Sequence, residues 1–233
     1  MNDFRCGLSS TWRASATSSQ GELRAVDGST VSHWSSHSFY LRLAPRHHLV
    51  QTIVRETMQR VTVIGTSCSG KTSFAKRLAC ALNCQHIELD AIHWGPNWTE
   101  RPPDQVRSDV NQLTTANTWV SCGNYGYLRD IVWTRADTII WLNYHFPIIW
   151  YRALRRTFRR SLGYEKMWHG NRETLRRAFL SRDSILLWVL KTYGGRRRTY
   201  PKLLARPENA HLQQFVFHHP REAEKFLASL ECV

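Results

Sequence analysis

The sequence predicts an α/β fold in which a parallel β-sheet is covered by helices on both faces. Two observations carry this expectation. From Arg60 onward, short runs of β-branched and apolar residues alternate with segments of helical periodicity, as in a parallel sheet buried on both sides. Between the first strand pattern, Val61-Thr62-Val63-Ile64, and the first helical pattern lies the loop Gly65-Thr66-Ser67-Cys68-Ser69-Gly70-Lys71-Thr72. Its two glycines let the backbone curl so that successive N–H groups face one concavity.

Taken in order, residues 1 to 57 hold ten Ser with scattered His and Trp and no sustained periodicity. They read as a weakly ordered extension, the product of an upstream start or a dispensable tail, without the apolar stretch of a secretory signal. The compact domain is expected to span 58–233. Strands are expected at 60–65, 85–89, 118–122, 137–142 and 212–217. Phe74, Ala75, Leu78, Ala79 and Leu82 mark the helix after the loop.

A basic helical insert, about 145–206, separates the last two strands. Pro147 suits the first turn of its first helix, with Leu154, Phe158 and Leu162 as the buried stripe. Arg152, Arg155, Arg156, Arg159 and Arg160 form the wet side, and Gly163 closes the helix. A second helix follows Asn171. A third follows Ser181 and runs through Ile185–Leu190, an apolar run expected in the core, to Gly194-Gly195.

Composition narrows the class. A chain of 233 residues, 42% hydrophobic with ten Trp, can bury a real core, and no run reaches the 18 or so apolar residues of a membrane span. Six cysteines without a C-x-x-C pair argue against a disulfide framework or zinc site and for a reducing cytoplasm. His47-His48 and His218-His219 lack a third ligand at metal spacing. The net charge of +14 is concentrated between His145 and Arg206, where 13 Arg and 3 Lys face Glu165, Glu173 and Asp183. Such a block binds nucleic acid, surrounds the phosphates of a nucleotide and a small substrate, or is a solvated helix face.

The loop carries the chemistry. Gly65, Thr66, Ser67, Cys68, Ser69, Gly70, Lys71 and Thr72 complete G-x-x-x-x-G-K-[ST], with Ser73 heading the helix. In this arrangement backbone N–H groups and the helix dipole cradle a triphosphate. Lys71 reaches the β- and γ-phosphates, and the Thr72 hydroxyl ligates Mg²⁺. ATP and Mg²⁺ are therefore the expected cofactors.

The chain resembles the adenylate-kinase-like P-loop kinases and, more closely, the bacterial DNA topology modulation group. The resemblance rests on GTSCSGKT, HIELDAIHWGPNW (86–98), GNY (123–125) with RDIVW (129–133), and NRETLRRAFLSRDSILLW (171–188). It implies a three-layer α/β/α P-loop NTPase fold, a five-stranded parallel sheet in the order 2-3-1-4-5, ATP binding and an Arg-bearing helical lid. Similar sequences carry an acidic residue at the end of the third strand. This chain has Cys122, a poor ligand for a hard cation.

Asp90, at the tip of the second strand where ligands of parallel sheets gather, is the best remaining carboxylate, since Asp137 begins its strand at the wrong edge. It serves either as general base or metal organiser, or as a cap of the following loop. His93, Trp94, Trp98, Asn124 and Tyr125 are expected around the acceptor, aromatic walls suiting a base or ring. Trp98 also suits core packing. Arg129 either clamps an acceptor phosphate or pairs with an acid. On the lid, Arg172, Arg176 or Arg182 neutralises the transferring phosphoryl group, or is solvated. The expected activity is γ-phosphoryl transfer from Mg-ATP to a small acceptor, a nucleotide among the candidates. The rivals are a nucleic-acid-associated nucleotide-binding protein and a relative that binds ATP without turnover.

Overall fold

The structure, a computed structural model, describes residues 57–161 and 184–231. Its strands are β1 (Arg60–Gly65), β2 (Gln85–Glu88), β3 (Trp119–Cys122), β4 (Thr138–Leu142) and β5 (Gln213–Phe217). They form one all-parallel sheet ordered β2-β3-β1-β4-β5. The helices are α1 (Lys71–Ala81), α2 (Leu89–His93), α3 (Pro103–Leu113), α4 (Arg129–Arg135), α5 (Phe146–Ser161), α6 (Ile185–Leu204) and α7 (Pro220–Glu231). This is the three-layer α/β/α arrangement of the P-loop kinase fold, and its strands fall within a residue of their expected bounds.

The period of two along each strand divides the core. Val61, Val63, Val120, Ile140 and Leu142 point to one face, where they meet Phe74, Ala75 and Leu78 of α1 and Leu227 and Leu230 of α7. Ile64, Trp119, Ile139 and Trp141 point to the other, against Val106 and Val110 of α3 and Val132 and Trp133 of α4. A fully buried Ile or Leu contributes about 1.5–3 kcal/mol relative to exposure, so both faces are committed. Met58, at the head of the described residues, is already in the first cluster at 1% exposure. Asp137 stands at the opposite edge from the loop, where its carboxylate accepts from the Arg60 backbone N–H at 2.8 Å.

Helix α1 ends by rule. Asn83 takes φ 50°, Asn83 N–H donates to Cys80 O and Cys84 N–H to Ala79 O, which satisfies the last carbonyls in a Schellman turn.

The basic insert differs from expectation at several points. In α5 the buried line is Ile149, Ala153 and Thr157, while Phe158 is 56% exposed. Arg152 and Arg156 are half-buried rather than wet, because they turn toward the phosphate loop. The run Ile185–Leu190 is only partly core: Leu186 and Val189 are buried, whereas Leu187, Trp188 and Leu190 are exposed.

Helix α6 begins after Ser184, whose hydroxyl accepts from Leu186 N–H at 3.3 Å. It does not stop at Gly194-Gly195 but continues to Leu204. The reason is tertiary. Leu186 and Val189 belong to the core on one face of the sheet, and Tyr200, Leu203 and Leu204 to the core on the other. At 1.5 Å per residue the 20-residue helix is about 30 Å long, and it crosses from one layer to the other. Burial at both ends outweighs the roughly 1 kcal/mol that each glycine costs in a helix interior. Residues 1–56, Leu162, Gly163, Asn171, Ser181 and the lid residues Arg172, Arg176 and Arg182 lie outside the described residues.

Candidate functional site

The loop Gly65–Thr72 sits where β1 gives way to α1, at the C-terminal edge of the sheet. Gly65 has φ +154°, and a Cβ there would lie 2.8 Å from Leu142 O and 2.9 Å from Ser69 Oγ. Gly70 has φ +92° and opens α1. Cys68 is also left-handed, at φ 66°, and Ser69 N–H closes the turn onto Thr66 O at 3.1 Å. The Ser69 hydroxyl is buried without a hydrogen-bond partner. The Asn124 carboxamide grips the entrance: it accepts from Gly65 N–H at 3.2 Å, donates to Gly65 O at 2.6 Å, and accepts from the Tyr200 hydroxyl at 3.1 Å.

Lys71 lies inside this loop and donates to Thr66 O at 3.2 Å. Burial lowers its pKa to about 8, with the charge of Asp90 opposing and that of Arg196 reinforcing the shift. Next to it, the Thr72 hydroxyl donates to Glu88 Oε1 at 2.9 Å. Glu88 closes β2 and stands in register with Cys122 of β3. The Cys122 thiol is 3.9 Å from Thr72 Oγ1 and 3.4 Å from His86 Nε2. Burial, with the charge of Glu88, pushes its pKa up to about 12, so it stays a neutral filler. The carboxylate beside Thr72 thus comes from the strand next to β3, two residues before Asp90.

Asp90 lies on α2, and its carboxylate accepts from the Tyr125 hydroxyl at 2.7 Å. Burial and the Asp90 charge push the Tyr125 pKa up. The His93 ring is 4.6 Å from that of Tyr125 and 4.8 Å from that of Trp94, and His93 Nδ1 is 3.1 Å from Tyr127 Oη. Arg107 holds this loop in place through Tyr127 O and the Asp130 carboxylate. Arg129 stacks over Trp133 at 5.4 Å and, with Asn124, Tyr125, Leu89 and Tyr200, lines a pocket beside Gly123. It makes no ion pair among the described residues.

Three further arginines converge on the loop. Arg152 donates to Ser69 O at 2.8 Å and stacks on Tyr144 at 5.3 Å. Arg156 reaches Cys68 Sγ at 3.8 Å. Arg196, carried over the sheet edge by α6, interacts electrostatically with Lys71, Asp90 and Tyr200. Burial lowers its pKa, and one guanidinium nitrogen is sealed without a partner. Glu88 and Arg196 are absent from the expected set. For Glu88 the only sequence signal was its place in Glu88-Leu89-Asp90 at a strand end, since the β2–β3 register is not written in the chain. For Arg196 there was none, because a helix stopping at Gly194 leaves it in a loop.

The oxygen pair of Thr72 and Glu88 suits a hard divalent cation that keeps most of its other ligands from water and phosphate. Among the described residues no cluster of three or more His, Cys, Asp or Glu forms a separate metal site, and no helix is long and apolar enough to cross a membrane.

No protein-family model and no curated protein matches the chain. Among solved structures it is similar to a shikimate kinase from Acinetobacter baumannii in complex with shikimate, at 13% identity and a TM-score of 0.49, over 77% of this chain and 94% of that one. It is also similar to a shikimate kinase from Bacteroides thetaiotaomicron, at 18% identity and a TM-score of 0.46, over 75% and 97%. A third is a gluconokinase from Sinorhizobium meliloti 1021, at 18% identity and a TM-score of 0.43, over 75% and 92%.

Proposed function

We propose that the chain is an ATP-dependent phosphotransferase that moves the γ-phosphoryl group to the hydroxyl of a small acceptor. The observation that carries this reading is the line of groups along one sheet edge: half-buried Lys71 bonded to Thr66 O, Thr72 hydrogen-bonded to Glu88 at 2.9 Å, and Asp90 held by Tyr125.

The loop fits a polyphosphate. Its curled backbone leaves no room for a Cβ at Gly65, and the sealed Ser69 hydroxyl lacks a partner. Lys71 and the start of α1 hold the β- and γ-phosphates, and Arg152 and Arg156 flank the loop from α5. Thr72 and Glu88 would hold Mg²⁺, which when bound neutralises charge on the phosphate oxygens. Asp90 takes the proton of the acceptor hydroxyl as its oxygen bonds to phosphorus and the bond to the ADP oxygen breaks. Arg196 faces the charge on the transferring group. This gives α6 the neutralising role that the sequence assigns to Arg172, Arg176 or Arg182. Asn124 positions Gly65, while His93, Trp94 and Arg129 border the acceptor.

The nucleic-acid reading draws on the exposed Arg155, Arg159 and Arg198. The inward turn of Arg152, Arg156 and Arg196 instead ties three of the basic charges to the phosphate loop.

The test is ADP formation above background from Mg-ATP with a panel of nucleosides, nucleoside monophosphates and small hydroxy acids. One acceptor should stimulate it, and Lys71→Ala should abolish it. Undiminished ATP affinity and turnover in Lys71→Ala would overturn the reading. Tight ATP binding with no transfer to any acceptor would identify a binding-only protein.

A further inference from the structure

The acceptor side of the site carries an array of rings that the transfer chemistry does not use. His93 contacts Trp94 and Tyr125, the Trp94 and Trp98 rings are 5.8 Å apart, and those of Tyr125 and Tyr127 are 5.9 Å apart. All five rings are partly exposed rather than sealed in the core. Tyr125 joins this wall to the chemistry, because its hydroxyl is the one bound to Asp90.

Trp98 is held at a conformational cost. Asn97 and Trp98 have φ 56° and 59°, a left-handed pair that costs a bulky residue on the order of 1–3 kcal/mol. The turn is pinned by Gly95 N–H to Thr99 O at 2.8 Å, by Thr99 Oγ1 to Pro96 O at 2.8 Å, and by the bridge between Trp94 and Glu100. The result places the Trp98 ring against Trp94 with its indole N–H buried and without an acceptor. Such an orphan donor costs about 1–3 kcal/mol. A ligand acceptor can reach it only if the 95–99 turn opens slightly.

Charge selects among the ligands that fit a ring wall. A cation, the other guest of aromatic faces, is repelled by Arg196 and Arg129. Against an anionic group beside the transferred hydroxyl stands the Asp90 carboxylate, which offsets the pull of Arg129 and Arg196. Resting on the phosphotransferase reading, we propose that the acceptor is a neutral heteroaromatic alcohol of the nucleoside type. Its flat ring lies on the wall of His93, Trp94 and Trp98. A ring nitrogen or carbonyl accepts from Trp98 Nε1–H, and its hydroxyl reaches Asp90. That hydroxyl oxygen bonds to the γ-phosphorus, its proton passes to Asp90, and ADP leaves with the electron pair of the broken bond.

The test uses the full chain. Adenosine, guanosine, cytidine, uridine and pyridoxine are compared with shikimate and gluconate, first as ligands by tryptophan fluorescence without nucleotide, then as acceptors with Mg-ATP by phosphorus NMR. At least one heteroaromatic alcohol should bind and be phosphorylated, and neither polyhydroxy acid should. Trp98→Phe keeps a ring and removes the donor. It should raise the Kd of that alcohol about tenfold, the equivalent of one hydrogen bond, and leave ATP affinity unchanged as evidence of an intact fold. A chain that binds ATP but none of these rings, phosphorylation of the polyhydroxy acids instead, or an unchanged Kd in Trp98→Phe would overturn the proposal. Ring binding without any transfer supports the assignment of the wall and overturns the phosphotransferase reading instead.

Discussion

Replacing Glu88 by Gln isolates the charge that the structure places beside Thr72. The amide keeps an oxygen at the position that accepts from Thr72 Oγ1 at 2.9 Å, so shape and the hydrogen bond survive while the negative charge goes. Loss of a group that holds and charges a metal ligand typically costs 10- to 100-fold in metal affinity or activity, which is about 1.4–2.8 kcal/mol at 1.4 kcal/mol per tenfold. Glu88 is only half-buried, so little fold stability is at stake. The assay is ADP formation against Mg²⁺ concentration. Half-saturation should rise roughly 10- to 100-fold, while calorimetry with metal-free ATP shows affinity unchanged or improved. An unchanged Mg²⁺ dependence would refute the assignment of Glu88 and return the metal role to Asp90.

Cys122→Asp, which puts an acid at the end of β3, should give no gain in turnover and should lower stability, since it sets a second carboxylate in register with Glu88; a clear rise in kcat would contradict this. Lys71→Met should change the pH dependence of the melting temperature: the Lys71 pKa is lowered from 10.5 to about 8, so the fold binds fewer protons than the unfolded chain between those values. Its contribution to stability therefore rises with pH across that window, and the wild type should gain on Lys71→Met between pH 8 and 10.5. Parallel curves for the two proteins would refute it. Asn124→Ala should cost roughly 1–3 kcal/mol in urea unfolding, by leaving Gly65 N–H and the Tyr200 hydroxyl without their partner; Tyr200→Phe should cost about 1 kcal/mol, a single hydrogen bond. Equal losses would mean that the grip on Gly65 is not the stabilising part.

Some properties of this chain were legible locally. The loop Gly65–Thr72 needs only its own residues to be recognised, because the left-handed Gly70 and the lysine one position on act within a single turn. Strand positions followed from runs such as Val61-Thr62-Val63-Ile64, whose burial on both faces leaves a compositional trace. The sheet order came from resemblance, and the structure reproduces it.

What tertiary structure alone decided are pairings between distant segments. Glu88 gained its place beside Thr72 only through the β2–β3 register, set by side-chain packing across the sheet. Arg196 reached the phosphate loop because hydrophobic burial at both ends of α6 overrides two glycines that read locally as a stop. Arg152 and Arg156 turned inward for a similar reason: α5 buries the line of Ile149 and Ala153 rather than that of Phe158, and this rotation sets which of its arginines meet the loop. A sequence states which side chains are present and with what period. Which face of a helix wins the core depends on apolar area contributed by other elements, and no local pattern contains that sum.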